Sequence, residues 1–338
     1  MLYYSNKPEK IKYKLKDFFK FIMSFESERV IKSTVPPEIH AFRLDRYLTE
    51  RFTYFSRTQW ERNIRDGLIL LNGKRVRPSK LLNGGEVIEF RPPPEATEPD
   101  VRTDYTILME TAEFLAVNKP PDLPVHPAGC YFRNTLSMLL REEYGVVHPV
   151  NRLDRETSGV TLFARTPEAA GVLSRSFLLH NPEKIYTAFV FGTFPEEMTA
   201  EGFLSPDEES PVRKKRKFTR ESVPDGESCK TFFRLLSAED DFSVVECRLE
   251  TGRLHQIRAT LCSLGYPLLG DKMYGPDPEI FIRYTEDRMT AEDRALLRLD
   301  HQALHAGSLR FMSPFDGEEI VLHAEMPSDM QKMRKNKL

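Results

Sequence analysis

The stretch Arg91-Pro92-Pro93-Pro94-Glu95-Ala96-Thr97-Glu98-Pro99-Asp100 limits what this chain can fold into more than any other. Clustered prolines lack the amide and the free φ that a helix or a central strand requires, so the segment reads as a stiff extended spacer. It divides 338 residues into a small N-terminal part and a large C-terminal one. At roughly 150 residues per domain, that length is enough for two cores. Charge is divided as unevenly as length. The whole chain has 49 Lys+Arg against 51 Asp+Glu, a formal -2, whereas His40 to Arg91 holds 11 against 6, a net +5, which leaves -7 for the remainder. A uniformly basic polyanion binder is excluded. A local phosphate-binding face on the small part, or a merely solvated basic face, fits the numbers.

The small part is readable residue by residue. Leu44, Leu48, Phe52 and Phe55 recur at helical spacing. Ser56-Arg57-Thr58-Gln59 fits a capping box, in which Ser56 takes the amide of Gln59 and Gln59 returns the bond. This predicts a second helix that carries Trp60 and Ile64 on one buried stripe and stops at Gly67, leaving Arg57, Arg62 and Arg65 to solvent or RNA. Asn72-Gly73, between Leu68-Ile69-Leu70-Leu71 and Lys74-Arg75-Val76, predicts a two-residue hairpin, and Gly84-Gly85 precedes a strand from Glu86 to Phe90.

The pattern R-L-D-x-x-L at Arg43 to Leu48, S-R at Ser56-Arg57 and I-R-D-G-x-I-x-L-N-G from Ile64 to Gly73 resembles the S4 RNA-binding domain over about 50 residues. The resemblance implies that paired helices and the following hairpin grip structured RNA, with Arg57, Arg62, Arg65, Lys74 and Arg75 at the basic positions. A two-helix DNA-binding motif is the rival, but it is not normally followed by an Asn-Gly hairpin with two adjacent basic residues.

In the large part, short strands at Ile107 to Met109 and Phe114 to Asn118 lead into the proline-rigid loop Lys119 to Pro127. Then comes His148-Pro149-Val150-Asn151-Arg152-Leu153-Asp154-Arg155-Glu156-Thr157-Ser158-Gly159, before a partly buried strand from Val160 to Ala164. Asp154, with arginines two residues before and one after, is held ionised by neighbouring positive charge. Such a carboxylate can be nucleophile, base or ion-pair anchor, and on spacing alone a surface Arg–Asp network explains it equally well.

H-P-V-N-R-L-D-R-E-T-S-G is very similar to the H-R-L-D-R-x-T-S-G signature of the large-ribosomal-subunit (RluA) type of pseudouridine synthases. Further matches follow in order: Glu183-Lys184-Ile185-Tyr186-Thr187-Ala188 for K-x-Y-x-A, Gly252 to Arg258 for G-R-x-H-Q-I-R, Gly270 to Gly275 for G-D-x-x-Y-G, and Leu304-His305-Ala306 for L-H-A. With the S4-like part, they span roughly residues 40 to 325.

The resemblance implies an α+β catalytic domain of mixed, largely antiparallel sheet with a central cleft. It makes Asp154 the catalytic aspartate, attacking the ribose or the uracil ring. Tyr186 stacks beneath the uracil, Arg258 is ion-paired to Asp154, and Arg152 fills the stack when the base is flipped out. Arg253, His255 and Gln256 shape the cleft or touch RNA. The helical spacing of Leu254, Ile257, Leu261 and Leu264 up to Gly265 puts Arg258 on the flank of an apolar stripe, where a guanidinium needs a carboxylate.

Two departures stand out. Asn151 replaces the usual His before Arg-Leu-Asp, which implies an altered loop contact and retained activity. Pro211 to Arg220 holds six basic residues in ten and matches no signature element, so it reads as an insertion that either touches RNA phosphates or cancels its charge against Asp207-Glu208-Glu209.

Other classes fail on specific residues. No second carboxylate stands beside Asp154 for a glycosidase, Ser158 lies outside any G-x-S-x-G elbow, and the phosphate-binding and dinucleotide glycine motifs are missing. His301 and His305 are four apart and could hold a metal only from a helix; hydrogen-bonded histidines are the ordinary reading. Cys130, Cys229, Cys247 and Cys262 form no C-x-x-C and read as free thiols. Residues 1 to 23 carry six lysines, interrupted by Glu9 and Asp17, without the apolar region of a targeting peptide, and Met23 is an equally good start.

The expected organisation is an extension over 1–39, an S4-like domain over 40–91, a linker over 92–104, a catalytic domain over 105–330 and a basic tail over 331–338. The resulting expectation is an RNA pseudouridine synthase, cytoplasmic and monomeric, acting on ribosomal or transfer RNA without metal or cofactor. A catalytically silent RNA-binding scaffold is the alternative.

Overall fold

The computed structural model describes residues 31–52, 55, 57–91, 98–128, 131–210, 212 and 214–334. Ser56 and with it the expected capping box, Cys130, most of the proline spacer, Pro211 and Arg213 lie outside the described residues. The chain forms two compact units. One holds the residues before Asp100 together with Pro127–Phe132, and the other holds Asp100–His126 and Arg133–Leu338.

The small unit runs β1 (Ile31–Thr34), β2 (Phe42–Arg43), α1 (Leu44–Arg51), α2 (Arg57–Arg65), β3 (Ile69–Leu71), β4 (Lys74–Arg75), β5 (Leu81–Leu82) and β6 (Val87–Phe90). Its main sheet has the order β1-β6-β3-β4. Trp60 and Ile64, each 1% exposed, face that sheet as their one-turn spacing predicts. The indole is packed edge-on by Phe55 and Phe90, and its N–H donates to the Phe52 carbonyl at 3.2 Å, so the buried ring keeps its polar group satisfied. Asn72 and Gly73 take φ of +51° and +76°, the left-handed pair that a two-residue hairpin needs, and Leu71 faces Lys74 across it. The unit starts earlier than residue 40. β1 pairs with β6 from Ile31↔Phe90 to Thr34↔Val87, and Val35 is fully buried, which covers the outer edge of β6.

The large unit runs β7 (Thr106–Glu110), β8 (Phe114–Lys119), α3 (Leu136–Tyr144), β9 (His148–Pro149), β10 (Ser158–Ala164), α4 (Pro167–His180), β11 (Glu183–Phe191), β12 (Glu197–Pro206), β13 (Arg216–Thr219), β14 (Glu227–Ala238) and β15 (Phe242–Leu249). It continues through α5 (Gln256–Ser263), α6 (Ile280–Thr285), α7 (Ala291–Leu297), β16 (Leu304–Met312), β17 (Glu319–His323) and α8 (Ser328–Met333). Its sheet has the order β13-β12-β14-β15-β11-β16-β10-β8-β7, with β17 on β16 and β9 on β10. Among the described residues every strand pairing of this sheet is antiparallel except β10 with β16, so the fold is the mixed, largely antiparallel α+β expected.

β10 is buried along its whole length, not partly. Val160, Leu162 and Ala164 pack with Phe114 and Phe311 on one face, while Phe163 packs with Leu136 and Leu140 on the other. At its parallel junction with β16, Gly159 has φ +113°, and a β-carbon there would come within 2.2 Å of the Ala306 carbonyl oxygen. Beside it the Ser158 hydroxyl donates to His305 Nδ1 at 2.9 Å while His305 Nε2 donates to the Ala324 carbonyl at 3.0 Å. The T-S-G and L-H-A elements are therefore one joint. His305 lies on a strand with both nitrogens committed, and His301 is held by Asp329 at 2.9 Å, so the hydrogen-bonded reading of this pair holds.

Two expectations differ from the structure. Residues expected in a basic tail belong to α8, where Met330 is fully buried, because that helix closes a cluster with Phe189 and Leu269. Leu254 is 45% exposed and outside α5, since His255 takes a left-handed φ of +55° and breaks the helix before it.

Candidate active site

Asp154 sits in the loop between β9 and β10, and the loop is tied at each end. Asn151 accepts from the Leu162 amide at 2.7 Å and donates to the Val160 carbonyl at 3.1 Å, bridging the loop to β10. An amide can make both bonds because it offers a donor and an acceptor at once. After Asp154, the Arg155 carbonyl accepts from the Leu123 amide at 3.1 Å and from Lys119 Nζ at 2.9 Å. Lys119 is fully buried and also donates to the carbonyls of Pro120 and Leu123, so its three protons fasten the proline-rigid loop to the aspartate loop. Burial pushes its pKa down to about 7.

The partner expected for Asp154 is in place. Arg258 Nη1 donates to Asp154 Oδ2 at 2.6 Å, while Nε and Nη2 grip both oxygens of Asp271 at 2.7 and 2.9 Å. The guanidinium is 7% exposed, lies 4.9 Å from the Tyr274 ring centroid, and is thus bracketed by two carboxylates and an aromatic face. Asp271 is fixed in turn by the amides of Met273 and Tyr274, at 3.0 and 2.9 Å. Burial disfavours a charged Asp154, but the charge of Arg258 and the hydrogen bond it donates outweigh this and hold the carboxyl below its usual range. Its side chain keeps 30% exposure, so the carboxylate is densely surrounded yet open on one side.

His255 Nε2 lies 3.8 Å from the other oxygen, Asp154 Oδ1, and His255 Nδ1 is 3.0 Å from the Tyr274 hydroxyl. That hydroxyl accepts from the Arg216 amide at 2.8 Å, which leaves its own proton for Nδ1. Burial lowers the pKa of His255 to about 4, so the ring is neutral at physiological pH. Tyr186 lies on β11, paired with Cys247 of β15 and packed on the core cluster there. Burial, then the charge of Asp154, raises its phenol well above the ordinary value and keeps it protonated.

The basic residues separate into two groups. Arg152 is exposed, and among the described residues no ion pair engages it. Arg62 and Arg65 are exposed, in weak contacts with Asp66 at 3.8 Å and Glu61 at 3.1 Å. Lys74 and Arg75 are exposed as well. Arg57 is otherwise: with Arg43 it holds the fully buried Asp45, at 2.7 and 2.8 Å. Gln256 is 3% exposed, and its amide is saturated by Lys230, Thr231, Thr251 and the Arg253 amide, so it shapes the loop and has nothing left to offer RNA. Arg253 donates to the Ser228 carbonyl at 3.1 Å and stays half exposed.

The basic stretch is part of the sheet. β13 pairs with β12 along Phe203↔Thr219 to Pro206↔Arg216, Phe218 is buried, and the Phe218 amide donates to Ser263 at 3.0 Å. Lys215 and Lys217 face Asp207 and Glu209 at 3.9 and 3.3 Å, which partly cancels the charge as one reading expected. Asp271 and Tyr274 were legible only as turn residues of G-D-x-x-Y-G; their roles depend on the distant Arg258 and His255.

The RNA pseudouridylate synthase family matches residues 113–263, and the S4 domain matches residues 42–88. The chain belongs to the RNA pseudouridine synthase family. It is 36% identical to an uncharacterized RNA pseudouridine synthase of Chloroflexus aurantiacus, covering 90% of this chain and 92% of that one. It is 33% identical to the ribosomal large subunit pseudouridine synthase D of Xanthomonas campestris, covering 89% and 91%. Among solved structures it resembles human RNA pseudouridylate synthase domain containing 1, with a TM-score of 0.54 and 25% identity over 68% of this chain and 87% of that one. Among the described residues no helix is long and apolar enough to cross a membrane.

Proposed function

We propose that this chain isomerises uridine to pseudouridine in folded RNA of the large ribosomal subunit, with Asp154 as nucleophile. The observation that carries the mechanism is the division of labour between the two oxygens of Asp154. Oδ2 is held by Arg258 at 2.6 Å, while Oδ1 lies 3.8 Å from the neutral His255 ring, and the Gln302 side chain also hydrogen-bonds the carboxylate. A fixed, ionised carboxylate whose side chain keeps 30% exposure can attack ribose C1′ or the uracil ring. The N1–C1′ bond breaks, the base turns, C5 bonds to C1′ and the bond to Asp154 is released, while the C5 hydrogen leaves as a proton and N1 gains one. Substrate and product are isomers, so the step needs no redox partner. The protonated phenol of Tyr186 supports the ring from below, and Arg152, exposed beside Asp154, fills the gap left by the flipped base. The ribosomal substrate rests on the name of the Xanthomonas campestris relative.

The test is tritium release from RNA labelled at uracil C5, on separate ribosomal and transfer RNA pools, with wild type and Asp154→Ala. Release by wild type from the ribosomal pool and none by the variant supports the reading. Release from the transfer RNA pool alone moves the substrate. No release from either pool by a wild type that binds both replaces the enzyme with a silent scaffold.

A further inference from the structure

Lys184 is a cation that the mechanism above leaves unused. It lies on β11 opposite Leu249, two residues before Tyr186 opposite Cys247, so period-2 alternation puts the ammonium and the phenol on one face of the strand. A β-carbon at Gly252 would lie 4.0 Å from Lys184 Nζ, which places the amine at the start of the loop carrying Arg253 and His255. It is part-buried, yet no described residue forms an ion pair or side-chain hydrogen bond with it. The neighbouring carboxylates are taken. Glu183 serves Arg248 and Arg310 at 3.7 and 3.5 Å, Glu246 serves Arg234 at 3.0 Å, and Glu250 serves Lys230 at 3.2 Å.

A part-buried ammonium without an anion loses hydration and gains nothing in return. Burial accordingly lowers its pKa, with no charged neighbour opposing the shift. Such a position makes sense when the anion arrives with the substrate. We propose that Lys184 binds a backbone phosphate of the RNA adjoining the nucleotide held over Tyr186. This rests on the RNA reading above, and it identifies a contact that positions the strand, not a reacting group.

The experiment measures binding and activity separately on the full chain, with Lys184→Met and Lys184→Arg beside wild type. Equilibrium affinity for a ribosomal RNA fragment is followed by fluorescence anisotropy across a salt series, tritium release is followed on the same fragment, and thermal melting is recorded without RNA. A lost phosphate contact reduces the slope of log K against log salt by about 0.7–0.9. Lys184→Met is expected to show that reduced slope, weaker binding, and an unchanged or raised melting temperature; Lys184→Arg keeps the wild-type slope. An unchanged slope in Lys184→Met, while wild type binds and releases tritium, overturns the proposal alone. A lower melting temperature in both variants with the wild-type slope makes Lys184 structural and also overturns it. A wild type that neither binds the fragment nor releases tritium overturns this proposal and the functional reading together.

Discussion

Arg258 holds Asp154 with the one guanidinium nitrogen that Asp271 leaves over. Two nitrogens fork onto Asp271 at 2.7 and 2.9 Å, and the third reaches Asp154 at 2.6 Å. The planar fork is aimed by one carboxylate and presented to the other, a geometry that a lysine cannot reproduce. Arg258→Lys is expected to lose tritium release by two or more orders of magnitude while still folding. Asp271→Ala removes one partner of a fully buried pair and is expected to cost about 3–5 kcal/mol in urea unfolding. Activity assayed well below its melting temperature should fall as well, because the guanidinium loses its aim.

Arg152, two residues before Asp154, is exposed and among the described residues forms no ion pair, as a residue that fills a vacated base stack must be. Arg152→Ala is expected to lower turnover on folded RNA far more than on a short unstructured oligonucleotide, whose base needs no unstacking at a cost of a few kcal/mol. Equal losses on the two substrates would end the flipping role.

The basic residues of the small unit divide by task. Arg62→Ala and Arg65→Ala should leave the melting temperature within a degree or two and flatten the salt dependence of RNA affinity by about 0.7–0.9 per residue that touches a phosphate. Arg57→Ala should destabilise instead, since Asp45 is fully buried and relies on Arg57 and Arg43; a loss of roughly 1–3 kcal/mol is expected. A neutral effect of Arg57→Ala on stability would return it to the RNA-contact group.

Gly159 cannot carry a side chain. With φ of +113° and the Ala306 carbonyl 2.2 Å from the would-be β-carbon, Gly159→Ala must push β10 from β16 and disturb the Ser158–His305 joint. A loss of about 3 kcal/mol or more is expected in denaturant unfolding, from strain and overpacking together. An unchanged midpoint would show that the parallel junction is looser than its geometry.

Lys119 makes stability depend on pH. Its pKa is about 7 in the folded chain, below the 10.5 of an unfolded lysine, so between those values the unfolded state binds more protons and stability rises with pH. The contribution is lost as pH falls toward 7. Urea midpoints at pH 7, 8 and 9 should climb more steeply for wild type than for Lys119→Met, and parallel slopes would contradict the burial of this charge.

What the sequence by itself determined is local. Asn72-Gly73 dictates a hairpin because both residues tolerate positive φ, and Trp60 with Ile64 dictates which side of α2 is buried, because residues four apart share a face. The ordered motifs marked Asp154, Tyr186 and Arg258 and the need of Arg258 for a carboxylate. The tertiary structure decided the rest. Arg258 and Asp154 are 104 residues apart and meet only because the sheet order brings their loops together. The same folding adds Asp271 and Tyr274 to the site, assigns Arg57 and Gln256 to structural work, and leaves Lys184 part-buried with no anion among the described residues. Backbone preferences act over one turn or one hairpin, whereas the pairing of charges is set by which strands lie side by side, and no local signal carries that information.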